Sequence, residues 1–249
     1  MTAIVGILCQ QAVVIGTDSS ATFSSGSQQT IEQPIEKLLI VADNIIVVGS
    51  GQVGLGQRFS AIVEKAWADS LFKNQPLQIG KYLSRTAIED FASTHAGKGT
   101  YGALVAFPAK QKVHLCEFAV QDLQPEFKTE QMWYCSMGVT QTITDSFLAL
   151  MRGLFWQSGP PTVNDGIFAV TWALDHAVEV NPGGVNKPIR VAVLDTHAGQ
   201  AKAEMLPDMV IDEHRQNING AKDALREYCR NLHRTDEATP NVPRPAQKN

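Results

Sequence analysis

Two short apolar runs stand directly behind the first two residues, and they constrain the fold of this chain more than any other feature. Residues 3–9 (AIVGILC) and 12–18 (AVVIGTD) are rich in β-branched side chains, and only the polar pair Gln10-Gln11 separates them. Apolar runs of this length around a polar pair are typical of a hairpin of buried strands. The chain is therefore predicted to begin with a strand of a sheet.

The rest of the sequence alternates short strands with pairs of helices. Residues 19–34, rich in Ser, Gln and Gly, are predicted to form a loop. Strands are then predicted at 35–41, 44–48, 102–107, 113–118, 132–136, 189–194 and 201–205, and helices at 53–71, 77–91, 142–155 and 163–180. Hairpin-connected strands with paired helices favour an α/β fold of sheets stacked between helical layers, and they disfavour a doubly wound parallel sheet.

The C-terminal part of the chain differs from this pattern. Residues 208–233 carry apolar side chains on one helical face, which predicts an amphipathic helix that docks on the body. Residues 234–249 contain three prolines among polar residues, which is typical of a flexible tail. The predicted division is a main domain at 1–207, the helix at 208–233 and the tail at 234–249.

The composition favours a protein with one sizeable core and argues against nucleic-acid and membrane partners. A chain of 249 residues that is 44% hydrophobic can bury one sizeable core, and its net charge of −4 argues against a nucleic-acid partner, which requires clustered Lys and Arg. No run of about 18 apolar residues could span a bilayer, and no secretory signal is recognisable, so no membrane interaction is expected. The four cysteines lie far apart without C-x-x-C, as expected of reduced thiols in a cytoplasmic protein without a zinc site.

Thr2 is the candidate nucleophile. Methionine excision normally proceeds before a residue as small as threonine, so loss of Met1 would leave Thr2 with a free amine beside its own hydroxyl. An α-amino group has a pKa near 8, so an appreciable fraction is neutral at about pH 7 and can accept the hydroxyl proton as a general base. Many proteins begin with Met-Thr, so this feature by itself is weakly informative.

Four segments read together carry a family resemblance. They are TAIVGI at 2–7, VVIGTDSSAT at 13–22, EKLLIV at 36–41 and NIIVVGSG at 44–51. Together they resemble the opening of proteasome β subunits and of bacterial relatives such as HslV. The resemblance implies a catalytic set of Thr2, Asp18 and Lys37, with the family's spacing from Thr2 to Asp18 and from Lys37 to Gly51, and a slightly longer loop between Asp18 and Lys37.

The residue types suit these implied roles. A buried lysine beside Thr2 would lower the pKa of its amine and hydroxyl through like-charge proximity, and Asp18 would keep that lysine charged and oriented. An ordinary structural ion pair is the alternative for Asp18 and Lys37, but it does not explain their spacing from Thr2. The N–H group of Gly51 would be the oxyanion donor.

The resemblance also implies a substrate site. Thr22 and Val53 would hydrogen-bond the substrate backbone as an added strand. Gly49 would form the floor of the first specificity pocket and leave room there for a bulky side chain such as leucine.

Two later segments match the family less closely. The stretch 173–179 places Glu179 where the family has an acid that supports the N-terminal amine. The family's serines fall on Val139 and Pro182, so a missing hydroxyl would have to come from Thr140, from Ser136 or from water.

The sequence gives little support to a dinucleotide, metal or Ser-His-Asp site. Residues 49–54 satisfy G-x-G-x-x-G, but Asp69, near the distance at which a dinucleotide site needs its acid, lies inside a predicted helix. His176 lies in a helix with Asp175 and Glu179 and is expected to be a surface residue. Neither H-E-x-x-H nor G-x-S-x-G occurs, which leaves zinc and Ser-His-Asp chemistry without support.

The resemblance implies an αββα sandwich of the N-terminal-nucleophile hydrolase type and threonine-type hydrolysis of peptide bonds through an acyl-enzyme, without a cofactor. Substrates would be unfolded polypeptides or peptides. The chain would assemble into stacked rings, with the heptameric double ring of the betaproteobacterial proteasome homologue as the preferred comparison, and whether an unfoldase partner exists stays open. Two alternatives also stay open: an inactive ring subunit, and an amidase of small molecules.

Overall fold

A computed structural model describes residues 1–25, 28–94, 100–181, 183–197 and 200–232. The predicted tail at 234–249 lies outside these residues. The described chain forms twelve strands, β1 (Ala3–Leu8), β2 (Ala12–Thr17), β3 (Ser20–Ser25), β4 (Gln28–Pro34), β5 (Leu38–Val41), β6 (Ile45–Gly51), β7 (Tyr101–Ala109), β8 (Lys112–Phe118), β9 (Pro125–Phe127), β10 (Tyr134–Gly138), β11 (Arg190–His197) and β12 (Gln200–Met205). Its α-helices are α1 (Val53–Ala68), α2 (Pro76–Ser93), α3 (Gln141–Phe155), α4 (Val163–Val180) and α5 (Asp208–Leu232).

The strands form two antiparallel five-stranded sheets and a separate hairpin. The first sheet has the order β10-β1-β2-β11-β12, the second has the order β5-β6-β7-β8-β9, and β3 pairs with β4. The β1–β2 hairpin predicted from the two apolar runs is present, with Ile4 opposite Thr17 and Leu8 opposite Val13. Both strands are almost wholly buried because each of their faces is covered.

Three clusters of buried side chains separate four layers. One lies between the two sheets and includes Ile4, Ile15, Val48 and Leu104. A second packs the first sheet against α3, α4 and α5, and a third packs the second sheet against α1 and α2. The layers therefore follow the order helix, sheet, sheet, helix, and the predicted αββα sandwich is confirmed.

The loop predicted at 19–34 is wrong, because most of this segment forms the β3–β4 hairpin. Its backbones pair from Ser20 opposite Pro34 to Ser25 opposite Gln28, with an irregularity between Phe23 and Ser24. Polar composition hid these strands, since a hairpin outside the main sheets needs no alternation of buried side chains. The short strand β9 was also not predicted.

The helix ends follow from local chemistry. The predicted bounds of α4 are confirmed, and Thr162 caps it by accepting a hydrogen bond from the Asp165 N–H, at 3.3 Å. Helix α2 begins with Pro76 at its first position, where the missing N–H costs nothing. The turn between the two strands predicted at 35–41 and 44–48 is present at Ala42-Asp43, with a positive φ at both residues.

Helix α5 docks on α4 through its first half. Ile211, His214 and Ile218 are its buried residues. Beside them, the Arg215 guanidinium donates two hydrogen bonds to the buried carboxylate of Asp175 on α4, at 2.9 and 3.2 Å. Although α5 is the longest helix, neither it nor any other helix in the described ranges is long and apolar enough to cross a membrane.

We expect Arg215→Met to destabilise the protein by about 2 kcal/mol, because it removes two hydrogen bonds from a carboxylate that is only 9% exposed. Arg226→Met on the same helix is the matched control: it breaks a pair with Asp223 in which both side chains are mostly exposed, and it should cost less than about 0.5 kcal/mol. Urea unfolding at one protein concentration measures both. Equal costs for the two variants would contradict a structural role for the Asp175–Arg215 pair.

Candidate active site

Thr2 lies immediately before β1 and is held by the neighbouring strand β10. The Val139 N–H donates a hydrogen bond of 2.9 Å to the Thr2 carbonyl, and Ala3 pairs with Gly138. Gly138 has φ +100°, and a Cβ built on it would lie only 2.0 Å from the Thr2 carbonyl oxygen. A glycine is therefore required here for the chain to approach Thr2. Thr2 itself is buried, with 8% of its surface exposed.

Asp18 and Lys37 form a buried ion pair beside Thr2. The Lys37 Nζ lies 2.7 Å from Asp18 Oδ1, and the two side chains are 8% and 0% exposed. Asp18 also accepts hydrogen bonds from the Ala3 N–H at 2.9 Å and from the Ser20 N–H at 3.1 Å. A buried carboxylate needs such donors to offset its loss of water. The structure thus brings together the three residues that the sequence placed sixteen and nineteen positions apart.

The same lysine also contacts the residue that precedes Thr2. Lys37 Nζ donates a hydrogen bond of 3.0 Å to the Met1 carbonyl, which belongs to the peptide bond between Met1 and Thr2. The Met1 side chain packs against Gly184, and the Ser19 N–H donates to the Asn186 carbonyl at 3.3 Å. Gly184 and Asn186, which lie between α4 and β11, therefore border the N-terminal residues.

A cavity of about 940 Å³ opens in front of Thr2 and Lys37. Gly49 and Val53, the implied substrate residues, and Gly51, the implied oxyanion donor, also line it. Gly51 has φ +125°, and a Cβ there would lie 2.1 Å from the Thr100 carbonyl oxygen, so only glycine fits. Because the side chain of the N-cap residue Gln52 does not cap α1, the first N–H groups of that helix favour negative charge in this region.

The space at Gly49 is filled from inside the protein. A Cβ built on Gly49 would lie 2.3 Å from the Tyr101 hydroxyl oxygen. Tyr101 of β7 therefore occupies the position that a side chain on Gly49 would take. Because Gly49 still lines the cavity, the predicted room for a bulky substrate side chain stays a prediction. In the pairing of β6 with β7, Tyr101 lies opposite Gly51. The sequence did not reveal this register.

Glu179 forms an ion pair with a residue of helix α5. Its carboxylate pairs with Lys222 of α5 at 3.5 Å, and 53% of its side chain is exposed. Its predicted support of the Thr2 amine stays a prediction. Thr22 lies in β3 with its backbone opposite Glu32, and its role in binding substrate likewise stays a prediction.

Two hydroxyl groups could replace the family's missing serines, those of Ser136 and Thr140, and only the Ser136 hydroxyl has hydrogen-bond partners among the described residues. The Ser136 hydroxyl donates to Asp145 Oδ1 at 2.5 Å and accepts from the Thr144 hydroxyl at 2.7 Å, so it is directed toward α3. The Thr140 hydroxyl is buried and has no hydrogen-bond partner among the described residues. Pro182, the second replaced position, lies outside the described residues.

Comparison with known proteins agrees with this architecture. The proteasome subunit family model matches residues 2–121. Over that segment the sequence matches the proteasome subunit family. No curated protein matches the chain by sequence at a significant level.

Solved structures extend the likeness to nearly the whole chain. The Anbu Gly-1 mutant from Hyphomicrobium sp. strain MC1 superposes with a TM-score of 0.70 at 12% identity, covering 97% of this chain and 100% of that one. Anbu from Yersinia bercovieri, described as an ancestral beta-subunit, superposes with a TM-score of 0.69 at 11% identity, covering 96% and 100%. At such identities these likenesses show that the chain has a proteasome-type fold.

Sequence reasoning missed Tyr101 and the contacts that Gly184 and Asn186 make with the N-terminal residues. A pairing of β6 with β7 predicted residue by residue would have placed Tyr101 opposite Gly51. The contacts of Gly184 and Asn186 join positions more than 160 residues apart, and no local signal announces them.

Gly138→Ala should destabilise the protein by at least about 2 kcal/mol, because the new methyl group collides with the Thr2 carbonyl and φ is positive. Gly153→Ala in α3 is the matched control, since a Cβ there meets no atom within 4 Å. It should be neutral or stabilise by up to about 1 kcal/mol. Thermal and urea unfolding measure both, and a neutral Gly138→Ala would mean that Thr2 is not held as described.

Proposed function

We propose that this chain is a threonine-type endopeptidase whose nucleophile is the Thr2 hydroxyl after removal of Met1. The observation that carries the proposal is the buried Asp18–Lys37 pair, whose ammonium group contacts the peptide carbonyl directly before Thr2. A buried pair costs desolvation, and hydrophobic residues would often be as stable. This pair lies beside Thr2, and Lys37 lines the cavity. Catalysis at Thr2 explains why a costly buried pair is placed there.

Removal of Met1 changes what Lys37 contacts. In the full chain the Thr2 nitrogen is an amide and has no basic lone pair. Once Met1 is gone, the Met1 carbonyl that accepted from Lys37 is also gone, and Thr2 bears a free amine near that ammonium group. Proximity of the positive charge favours the neutral amine and a developing alkoxide.

The reaction then follows from these groups. The Thr2 amine accepts the proton of the Thr2 hydroxyl, and the oxygen attacks the carbonyl carbon of a peptide bond. The Gly51 N–H and the N-terminus of α1 stabilise the oxyanion of the tetrahedral intermediate. The intermediate collapses when the leaving amine takes the proton, which leaves an ester on Thr2, and water hydrolyses that ester.

Glu179 and Thr22 enter the proposal with secondary roles. Thr22, with Val53, would hydrogen-bond the substrate backbone as an added strand, since β3 begins two residues after Asp18. Support of the amine would come from Glu179 by exchange of its Lys222 partner, or from the buried Thr140 hydroxyl.

Assembly into rings is part of the same proposal. Proteasome-type subunits generally form stacked rings that enclose their active sites. Helix α3 exposes Leu150, Leu154 and Phe155, an apolar surface that a monomer would leave in water. A heptameric double ring acting on unfolded polypeptides is the expected form, and light scattering after size-exclusion chromatography measures the number of subunits.

A peptide α′,β′-epoxyketone should label Thr2 and test the proposal directly. Its two electrophilic centres require a hydroxyl and a free amine on one residue, and the product is a morpholine ring. Intact-protein mass spectrometry should show one inhibitor mass added to protein that starts at Thr2, and none added to Thr2→Ala. Absence of the adduct on protein shown to start at Thr2 would contradict the peptidase. It would favour the alternatives of an inactive ring subunit or a small-molecule amidase.

Lys37→Ala should lower kcat/KM for peptides by more than about 30-fold, which corresponds to about 2 kcal/mol of transition-state stabilisation. Lys37→Arg should not restore it, because a guanidinium differs from an ammonium in shape and donor geometry. Lys65→Ala on α1, where the lysine is 74% exposed, controls for the loss of one positive charge and should retain wild-type kcat/KM. Near-normal turnover by Lys37→Ala would show that this lysine is structural.

A further inference from the structure

The ring of Tyr101 is built into the wall of the cavity in front of Thr2. It reaches from β7 to the positions where two glycines have no side chain: a Cβ on Gly49 would lie 2.3 Å from its hydroxyl oxygen, and a Cβ on Gly56 would lie 3.2 Å from its ring. Phe59 and Phe91 pack on the ring with centroid distances of 5.5 and 6.1 Å. The ring is therefore fixed, and glycines on β6 and α1 make the space for it.

The Tyr101 hydroxyl is a polar group in an otherwise apolar part of the wall. Tyr101 is 5% exposed and lines the cavity. Burial raises the pKa of Tyr101 well above its ordinary value, so the group is a neutral phenol that can both donate and accept. Because Tyr101 lines the cavity, a ligand held there can hydrogen-bond its phenol oxygen.

The charged residues that line the cavity are mostly acidic. Glu36 and Glu64 both line it, and the positive charge of Lys37 is matched by Asp18 beneath it. Helix α1 adds Gln57, Ser60 and Glu64, which lie at intervals of three and four residues and so face the cavity as one polar stripe. The cavity thus combines an apolar base with carboxylates and hydrogen-bonding groups.

We propose that Tyr101, with Glu36 and Glu64, makes this cavity a subsite for a long side chain that ends in hydrogen-bond donors, lysine or arginine, next to the cleaved bond. The apolar wall around Val48 and Val53 contacts the aliphatic stem, the phenol oxygen accepts from the terminal donor, and the two carboxylates attract its positive charge. The proposal rests on the proposed peptidase activity. It competes with the leucine preference expected from Gly49, and the peptide set below decides between the two.

Fluorogenic peptides that differ only in the residue before the cut test this subsite. Lysine and norleucine are the central pair, since their stems match and only the terminal amine differs; leucine, arginine and glutamate complete the set. Wild-type protein that starts at Thr2 should cleave the lysine peptide at least tenfold better in kcat/KM than the norleucine peptide, and the glutamate peptide least. Tyr101→Phe removes one oxygen atom and should lower the lysine-to-norleucine ratio about fivefold, and Glu64→Gln should lower it as well.

Tyr82→Phe is the matched control, because Tyr82 on α2 lines a different cavity. Its lysine-to-norleucine ratio should equal that of the wild type. A wild-type preference for leucine or norleucine would overturn the subsite and leave the peptidase intact, as would an unchanged ratio in Tyr101→Phe. No cleavage of any peptide, together with no epoxyketone adduct, would overturn the peptidase and the subsite together.

Discussion

The buried ion pair of Asp18 and Lys37 is the interaction on which the rest of the site depends. Asp18 follows β2 in the first sheet, and Lys37 precedes β5 in the second, so their contact ties the two sheets together at the start of the chain. Since Asp18 also accepts from the Ala3 N–H, the pair fixes the direction in which the chain leaves Thr2. A lone buried charge at either position would be strongly destabilising, which makes each residue a requirement for the other.

Glycines let the parts of the site approach one another. A Cβ on Gly138 would strike the Thr2 carbonyl, and one on Gly51 would strike the Thr100 carbonyl. Between the sheets, a Cβ on Gly6 would lie 2.8 Å from a methyl group of Leu104. At these glycines the neighbouring atoms approach so closely that no side chain would fit. The distance between the two sheets and the position of Thr2 therefore depend on glycine at these positions.

The fold tolerates wide changes of sequence. The identity of the site residues therefore cannot be inferred from the fold. Anbu structures share the architecture at 11–12% identity, because layers packed by apolar faces accept many combinations of similar volume. Function has to be argued from the residues at the site. In this chain those residues are Thr2, Asp18 and Lys37 beside an acidic cavity whose wall contains the ring of Tyr101.

The family resemblance of the sequence implied that Thr2, Asp18 and Lys37 lie together. The sequence by itself determined the elements whose burial repeats locally, the β1–β2 hairpin and the helix from Val163 to Val180. Apolar periodicity reports which face of an element is buried, so these could be predicted. Tertiary structure alone decided that the polar segments 20–25 and 28–34 pair as strands, that Glu179 pairs with α5, and that Tyr101 occupies the Cβ position of Gly49. Each of these depends on the register or docking of segments distant in the chain, which is settled by packing and by backbone hydrogen bonds and leaves no local pattern in the sequence.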